Sequence, residues 1–168
     1  GCFVVLRDRE IIAYSASLIL SEEKAFKTHT WSTITAGGFA STHDPDGEYL
    51  YGYETCVIPG ERGLRIGQRI YNARKGLVNF YQLKGIAFAG RIPNYHKKKK
   101  VVSSVEEYIE KVKNKELSDS TLGFHLRNGF EVVGVLKDYL PEDKESLGYA
   151  VHLKWDNPEY KAVFTGES

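Results

Sequence analysis

The spacing of hydrophobic residues changes along the chain, and each spacing predicts a different element. Residues 1–7 and 11–20 form two apolar runs rich in β-branched and aromatic residues, separated by the charged segment 8–10. Such runs predict a β-hairpin. Residues 48–58 alternate in the same strand-like way, and Pro59 closes that strand.

The strand over residues 48–58 presents two faces, because successive side chains of a strand point to opposite sides of the sheet. Strict alternation gives one face to Tyr49, Tyr51, Tyr53, Thr55 and Val57 and the other to Leu50, Gly52, Glu54, Cys56 and Ile58. Glu54 is therefore expected on the same face as Gly52 and Cys56.

Apolar positions recur at steps of three and four further along the chain, which predicts an amphipathic helix. The positions that share this spacing are Ile66, Ile70, Ala73, Leu77 and Phe80. Lys84 and Gly85 end the helix, and the apolar segment 86–89 is short enough to be a buried strand.

Two more helices carry start and stop signals. Ser104 and Glu107 form a capping-box pattern, and the helix they start is expected to run to about Glu116. A shorter helix over residues 121–128 is expected to stop at Gly129.

The remaining segments complete a single domain that occupies residues 1–168. Strands are expected over 131–140 and 148–155, a long and partly helical loop over 21–47, and a loosely held tail over 159–168. Strands interrupted by helices, with hairpins at both ends, predict an α/β (α+β) fold with a central mixed β-sheet flanked by helices.

Composition and charge narrow the functional classes. The chain has 168 residues, 42% of them hydrophobic, and this length is sufficient for one domain with its own core. The 23 Lys and Arg nearly balance the 22 Asp and Glu, so the net charge is +1. This balance argues against binding to nucleic acid by bulk electrostatic attraction.

Cysteine content and chain ends indicate the setting of the protein. Cys2 and Cys56 are too few for a disulfide scaffold and form no Cys-x-x-Cys pair, so a reducing, cytoplasmic location is expected. No apolar run approaches the roughly 20 residues that span a bilayer, which predicts no membrane partner. The chain lacks methionine and opens on a hydrophobic strand, so we expect it to be a fragment of a longer protein.

The segment over residues 54–69 reads as a strand, a glycine-containing loop and a helix. Unpaired N–H groups at a helix N-terminus bind phosphate, and Arg62, Arg65 and Arg69 add positive charge there. The segment matches neither the Walker A loop nor the Gly-x-Gly-x-x-Gly dinucleotide turn. A plainer interpretation, in which the glycines serve turns and packing and the arginines are solvated, stays open.

The order Val57-x-Pro59-x-x-Arg62-Gly63-x-x-Ile66-Gly67 resembles the pyrophosphate loop of the GNAT acyltransferase superfamily. Arg65 replaces the first glycine of that family pattern. The resemblance implies that acetyl-CoA is the acyl donor and that its contacts lie at Val57, Ile58, Arg62, Gly63, Leu64, Arg65, Ile66, Gly67 and Gln68.

Other segments extend the resemblance over about residues 3–158. Phe124-His125-Leu126-Arg127-Asn128-Gly129-Phe130 resembles the late helix of the family, which ends in Gly-Phe. Five further segments resemble a more specific group: the GNAT-like domain that precedes a carbon-nitrogen hydrolase (nitrilase-type) domain in bacterial two-domain proteins. They are His29-Thr30-Trp31, Thr42-His43-Asp44-Pro45-Asp46-Gly47, residues 62–69, Gly90-Arg91-Ile92-Pro93 with Tyr95-His96, and Leu140-Pro141-Glu142-Asp143. This implies a linked or associated carbon-nitrogen hydrolase domain. The resemblance also implies that the first strand and the helical pair with which GNAT domains normally begin are missing from this sequence.

The resemblance also implies a mechanism, in which an amine attacks the acyl thioester directly. Glu54, on the strand before the loop, corresponds to the base that deprotonates the amine, although a rim carboxylate paired with an arginine is the alternative. The backbone of Val57 and Ile58 is expected to hold the pantetheine arm and polarise the thioester. His125 stands where the family has a tyrosine acid, and a histidine that merely bonds a neighbour is the competing interpretation.

Several other groups receive weaker interpretations. Tyr71, Tyr81 and Tyr95 are alternative phenol acids without a spacing argument. Cys56 with His29 or His43 makes a poor nucleophile–base pair, and the histidines with Asp44 and Asp46 lack ligand spacing, so no metal is predicted. Residues 97–100, four lysines, are expected to be a solvated loop that can attract an acidic partner or the 3′-phosphate of CoA. Arg91 and Tyr95 are expected to meet substrate or the missing domain.

Taken together, these features predict an acyl-CoA-dependent N-acetyltransferase that uses acetyl-CoA and no metal. The acceptor is a small-molecule or peptide amine, and self-association into a homo-oligomer is left open. The alternative is a non-catalytic CoA-binding or regulatory module of a larger carbon-nitrogen hydrolase protein.

Overall fold

A computed structural model describes residues 1–61 and 65–162 of the chain. The strands of this part are Cys2–Arg7 (β1), Glu10–Leu20 (β2), Tyr49–Val57 (β3), Gly85–Gly90 (β4), Glu131–Leu136 (β5) and Ala150–Asp156 (β6). The helices are Glu22–Phe26 (α1), Trp31–Thr35 (α2), Ile66–Phe80 (α3), Tyr95–Lys98 (α4), Val105–Lys113 (α5) and Ser120–Arg127 (α6). Short 3-10 turns occupy Pro59–Glu61 and Lys99–Val101.

All of these strands belong to one mixed sheet with the order β1-β2-β3-β4-β6-β5. Neighbouring strands are antiparallel except β3 and β4, which run parallel and are connected through α3. A parallel pair requires such a crossover connection. The predicted α/β fold with a central mixed sheet is confirmed.

The predicted N-terminal hairpin is also confirmed, with a shorter turn than expected. Arg7 pairs with Glu10, so Glu10 belongs to β2. Asp8 and Arg9 alone make the turn, and both have positive φ values of 50° and 72°. Two successive positive φ values match the twist of a two-residue β-hairpin turn.

Helix α3 spans the predicted residues but buries a different stripe. Its buried side chains are Ile66, Ile70, Tyr71, Arg74 and Val78, whereas Phe80 is 78% exposed. The expectation that Phe80 faces the core was wrong, because the helix turns Arg74 toward the sheet in the middle of its inner face. A prediction based on the spacing of apolar positions cannot detect a charged residue in the buried stripe.

Helices α5 and α6 begin where the sequence predicts. The Ser104 side chain accepts a hydrogen bond from the Glu107 N–H, while the Glu107 carboxylate accepts from Ser103 instead of completing the capping box. The helix ends at Lys113, before the expected Glu116. Predicted strand 131–140 is shorter in the structure and ends at Leu136.

The segment after β4 differs from its predicted role. Tyr95 is buried and packs against Tyr108, so the expectation that Tyr95 meets substrate was wrong. Arg91 donates two hydrogen bonds of 2.6 Å to Asp143. Although burial opposes the shift, these bonds lower the pKa of Asp143 to about 2. The lysines over 97–100 are exposed, but they lie on α4 and a 3-10 turn rather than on an irregular loop.

Two cores lie on opposite faces of the sheet. One contains side chains of α3, α5 and α6, and the other contains those of α1 and α2. Among the described residues, no helix has the length and apolar character needed to cross a membrane.

Candidate functional site

The parallel strands β3 and β4 separate after a short paired section. They pair from Tyr49 with Gly85 to Gly52 with Phe88, and β3 then continues to Val57 without β4 beside it. The separation opens a cavity of about 600 Å³. Its walls come from β3, β4, α3 and α6 on one side and from Trp31, Tyr139 and Leu140 on the other.

A β-bulge in β3 decides which side chains face which wall. Ser17 of β2 pairs with Gly52 but its neighbour Ala16 pairs with Glu54, so Tyr53 is an extra residue. An extra residue reverses the alternation beyond it. The expected alternation was therefore wrong after Tyr53, and Glu54 lies on the face opposite to Gly52.

Contacts of the later β3 residues support this reversal. The Thr55 hydroxyl accepts a hydrogen bond from Arg74 of α3 at 3.3 Å, and Val57 packs against the core cluster that contains Ile66 and Ile70 of α3. Thr55 and Val57 thus share the α3 face. Glu54 instead interacts with Cys56 and with Tyr14 of β2.

Arg74 places a buried positive charge at the point where β3 and β4 separate. It is 3% exposed, and its Nη2 donates at 3.2 Å to the carbonyls of Ala16 and Glu54. Its Nε is buried with no hydrogen-bond partner, and among the described residues no carboxylate forms a salt bridge with it. Burial lowers the pKa of Arg74 to about 10, so the guanidinium remains charged at neutral pH.

Gly52 is a glycine because Arg74 occupies its side-chain space. A Cβ at Gly52 would lie 2.6 Å from Nη1 of Arg74. The sequence offered no signal for this contact, since it joins residues of β3 and α3 through a bulge.

His125 of α6 lines the cavity beside Arg74. Its Nδ1 is hydrogen-bonded to the hydroxyl of Tyr71, and its ring packs edge-to-face on Phe88. Burial and the charge of Arg74 lower the pKa of His125 to about 4, and burial raises the pKa of Tyr71. The imidazole is therefore neutral at pH 7, and any proton it supplies comes from the neutral ring.

A second histidine–tyrosine pair lies on the opposite face of the sheet. Nε2 of His29 is 2.5 Å from the hydroxyl of Tyr51, and Nδ1 is 2.6 Å from the carbonyl oxygen of Lys27. Burial lowers the pKa of His29. His43, the other histidine considered with Cys56, accepts a hydrogen bond from the Ile19 N–H, so neither histidine is oriented as a base toward Cys56.

The His29-Thr30-Trp31 segment builds the wall of the cavity next to this pair. Thr30 caps α2, and the Trp31 indole donates to the carbonyl of Tyr53 at 3.2 Å. The Trp31 N–H donates to the carbonyl of Tyr139 at 2.9 Å, which holds Tyr139 against the cavity. Sequence reasoning singled out the segment but missed Tyr139.

Glu54 lines the cavity and is half-buried. Among the described residues, no lysine or arginine forms a salt bridge with its carboxylate. Arg74 approaches the backbone carbonyl of Glu54 rather than its side chain. Within the described part of the chain, Glu54 therefore lacks the arginine partner required by the alternative hypothesis of a rim carboxylate paired with an arginine.

The predicted CoA contacts fall partly within the described residues. Arg62, Gly63 and Leu64 lie outside them. Arg65, the N-cap of α3, has a φ of 56°, and no side chain of the described residues caps this helix. A Cβ at Gly67 would lie 2.9 Å from the Phe124 ring.

Other predicted contacts are constrained by the fold. The side chain of Ile66 is buried, so only its backbone is available to a ligand, and Gln68 donates to Asn72. Val57 is half-buried, while the Ile58 N–H already donates to the carbonyl of Ile12 at 3.0 Å. The Ile58 N–H is thus used within the sheet, and the expected backbone contacts of Val57 and Ile58 with the pantetheine arm stay a prediction. Among the described residues, no group of three or more His, Cys, Asp or Glu side chains lies close enough together to hold a metal ion.

Comparison with known proteins identifies relatives of this chain. No family model matches the chain. The chain is 36% identical over 161 residues to the "Uncharacterized N-acetyltransferase YkwB" of Bacillus subtilis (strain 168). The aligned region covers 96% of this chain and 70% of YkwB. It is 39% identical over 160 residues to the "Probable hydrolase YhcX" of the same strain, across 95% of the chain but only 31% of that protein.

The fold has a counterpart among solved structures. The GphF GNAT-like decarboxylase in complex with isobutyryl-CoA superimposes with a TM-score of 0.79 at 21% identity, covering 93% of this chain and 77% of that one. The fold is therefore the GNAT-like fold. With the similarity to YkwB, the chain belongs to the GNAT N-acetyltransferase superfamily.

Proposed function

We propose that the chain is an acyl-CoA-dependent N-acyltransferase that transfers an acetyl group from acetyl-CoA to a small-molecule or peptide amine. The observation that carries this proposal is the cavity of about 600 Å³ where β3 and β4 separate. This volume lies within the range of small-molecule sites. The opening can take the pantetheine arm and acyl group between the strands.

The N-terminus of α3 supports the donor assignment. Its first N–H groups and the exposed Arg65 and Arg69 offer positive charge to a diphosphate. The contacts predicted for Arg62, Gly63 and Leu64, which precede α3 in the sequence, remain part of the proposal.

Glu54 is the candidate base, and it is the one carboxylate among the described residues that line the cavity. An alkylammonium ion must first lose a proton to become a nucleophile, and a half-buried carboxylate can accept it. The amine nitrogen then forms a bond to the thioester carbon as the carbon–sulfur bond breaks. The fixed charge of Arg74 favours the negative charge that develops on the reacting oxygen and the departing sulfur.

Calorimetric titration with acetyl-CoA tests the donor site, with free CoA and ATP as comparisons. We expect binding of acetyl-CoA and CoA near micromolar Kd, about −8 kcal/mol, and none of ATP. Glu54→Gln should reduce acetyl transfer to an accepted amine without weakening CoA binding. Glu131→Gln, which removes an exposed carboxylate on β5, should change neither.

Two results would contradict this assignment. Failure of acetyl-CoA to bind would remove the donor site. Equal loss of binding and transfer in Glu54→Gln, or unchanged transfer, would remove Glu54 as the base.

A non-catalytic CoA-binding or regulatory module of a larger carbon-nitrogen hydrolase protein is the second candidate. Arg65 occupies the left-handed position where the family pattern has glycine, and the chain spans only 31% of the probable hydrolase YhcX. Binding of acetyl-CoA without acetyl transfer to any amine in a broad panel would support this candidate.

A further inference from the structure

Arg74 of α3 has hydrogen-bond donors that the described residues leave unused. Its three hydrogen bonds to these residues all start from Nη2, which donates to the carbonyls of Ala16 and Glu54 and to the hydroxyl of Thr55. Nε is buried without a partner, and Nη1 makes no hydrogen bond to the described part of the chain. Because a guanidinium can donate from each of its nitrogens, Arg74 retains donors for a ligand.

The charge of Arg74 is also uncompensated by the described residues. The side chain is 3% exposed, and none of the salt bridges among these residues includes it. Glu54, the one carboxylate among the described residues that line the cavity, meets Arg74 only through its backbone carbonyl. A buried cation without an anionic partner is costly in free energy, and an anionic ligand would offset that cost.

The guanidinium lies at the closed end of the opening between the strands. A Cβ at Gly52 would lie 2.6 Å from Nη1 and 2.7 Å from Cζ of Arg74, so the guanidinium covers Gly52. Gly52 and Phe88 are the last paired residues before β3 and β4 separate, and both line the cavity with Arg74. A group that reaches this end of the cavity therefore meets the guanidinium.

The distance along α3 indicates which part of an acyl-CoA reaches Arg74. The proposed diphosphate site is at the N-terminus of α3, and Arg74 lies about 12 Å further along the helix from Ile66, at a rise of ~1.5 Å per residue. An extended pantetheine arm spans a distance of this order. Arg74 therefore lies near the acyl end of the donor and far from its nucleotide.

The charge of Arg74 acts within the cavity. His125, which lines the same cavity, has its pKa lowered to about 4 by burial and, secondarily, by the charge of Arg74. The positive potential that disfavours a proton on His125 favours an anion beside it. Because the imidazole is neutral at pH 7, Arg74 supplies this potential without a second cation at His125.

We propose that Arg74 selects an acyl donor whose acyl group ends in a carboxylate, as in malonyl-CoA or succinyl-CoA. The inference rests on the proposed acyltransferase function and names a donor class for the same site, at which acetyl-CoA is the weaker ligand. The carboxylate accepts a charge-assisted hydrogen bond from Nη1 and supplies the anionic partner that the described residues lack. A permanently charged guanidinium suits recognition of a buried carboxylate.

The terminal carboxylate does not take part in the transfer. Glu54 takes one proton from the ammonium ion, and the amine nitrogen then forms a bond to the thioester carbon. The carbon–sulfur bond breaks with its electron pair on the CoA sulfur, which receives the second proton of the nitrogen. Glu54 returns its proton to solvent, and the carboxylate passes unchanged into the amide product.

Calorimetry on the wild-type chain is the first test. The Kd values of malonyl-CoA and succinyl-CoA are compared with those of propionyl-CoA and butyryl-CoA, their neutral counterparts with the same number of acyl carbons. We expect at least one carboxylated donor to bind about 10-fold more tightly than its neutral counterpart. Equal or weaker binding of both carboxylated donors would overturn the proposal.

Variants then test whether Arg74 is responsible for this preference. In Arg74→Gln the Kd of the preferred carboxylated donor should rise to that of its neutral counterpart, while the Kd of free CoA stays unchanged. Arg74→Lys keeps the charge and should retain part of the preference. Arg127→Gln, which removes an exposed arginine outside the cavity, should retain all of it. Full preference in an Arg74→Gln variant that still binds free CoA would assign the recognition to other residues.

A further measurement needs no variant and stays decisive if Arg74→Gln does not fold. A carboxylate paired with Arg74 offsets the charge that helps to lower the pKa of His125. NMR titration should therefore give His125 a higher pKa in the complex with the carboxylated donor than in the complex with its neutral counterpart. The same pKa in both complexes would place the carboxylate away from Arg74 and would overturn the proposal.

The two proposals fail in different ways. If acetyl-CoA binds and an amine is acylated, but neither carboxylated donor is preferred, the selection by Arg74 is overturned and the acyltransferase stands. If none of the acyl-CoA donors binds, or no amine is acylated, the proposed function is overturned and the donor class with it.

Discussion

Two histidine–tyrosine pairs lie on opposite faces of the sheet, His125 with Tyr71 at the cavity and His29 with Tyr51 in the core, and their surroundings differ. His125 binds Tyr71 beside the buried charge of Arg74. His29 binds Tyr51 at one nitrogen and the Lys27 carbonyl at the other, and burial lowers the pKa of its ring while the bond to the carbonyl opposes that shift. The same two residue types therefore meet two different electrostatic environments.

This difference separates two chemical tasks. The pair beside Arg74 lies in positive potential, which disfavours an additional proton and favours an anion. The pair on the opposite face instead holds a neutral ring in one tautomer, because the Lys27 carbonyl accepts from Nδ1 and burial lowers the pKa of His29. A tautomer set by a backbone carbonyl is a stronger constraint than one set by a hydroxyl, because the hydroxyl can both donate and accept.

The largest effect is expected from Gly52→Ala, because the new side chain takes the space that Arg74 occupies beside the His125–Tyr71 pair. The new Cβ would lie 2.6 Å from Nη1, so the guanidinium must leave its acceptors. We expect the free energy of unfolding to fall by about 3 kcal/mol, from overpacking and lost hydrogen bonds. Urea denaturation measures this loss.

Gly134→Ala provides the matched control on another strand. A Cβ at Gly134 would have no heavy atom within 4 Å. The change should stay within about 0.5 kcal/mol. Equal stability of the two variants would contradict the tight packing of Arg74 under Gly52.

Removing the phenol hydroxyl of each pair should show which hydrogen bond contributes more to the free energy of unfolding. Tyr51→Phe leaves Nε2 of His29 without its partner inside the core, so we expect a loss of about 2 kcal/mol. Tyr71→Phe removes one partner from His125, which also faces the cavity, so about 1 kcal/mol is expected. Urea denaturation of both variants checks the order, and a greater loss in Tyr71→Phe would reverse the comparison.

Much of the fold could be predicted because its signals are local. The turn at Asp8 and Arg9, the helix beginning at Ile66 and the cap at Ser104 depend on neighbours within a few residues. The bulge at Tyr53 could not be predicted, because it appears only when β3 is paired with β2. That single extra residue moved Glu54 to the other face of the sheet.

Residues of the candidate site could be predicted only where they belong to a recognisable sequence motif. His125 and Glu54 were found from their segments and both line the cavity. The role of Arg74 was missed because a charged residue on a helix is usually solvated. Tyr139 was missed because its position against the cavity depends on a contact with the distant Trp31.

Acid should destabilise the protein through its buried histidines. The pKa of His152 is about 4 in the fold against 6.5 for an ordinary histidine, so the unfolded chain binds more protons between these values. Stability contributed by neutral His152 is complete above pH 6.5 and is lost as the pH falls toward 4. We expect a loss on the order of 1 kcal/mol from pH 7 to pH 5.

Urea denaturation at pH 7 and pH 5 measures this loss. His152→Leu should make it smaller, because the variant removes a group that must stay neutral in the fold. His96→Gln, which removes an exposed imidazole, should retain it. An unchanged pH dependence in His152→Leu would assign the loss to other groups.

The smallest expected effect isolates the charge of Arg74 at His125. Burial and Arg74 together lower the pKa of His125, so Arg74→Gln removes one of two causes and should raise that pKa by less than about one pH unit. Arg74→Lys keeps the charge and should leave it near 4. NMR titration of the histidines measures both, with His29 as the internal reference because Arg74 does not contribute to its shift. Equal movement of His29 and His125 would indicate a rearranged core, and no movement of His125 would mean that burial alone keeps it neutral.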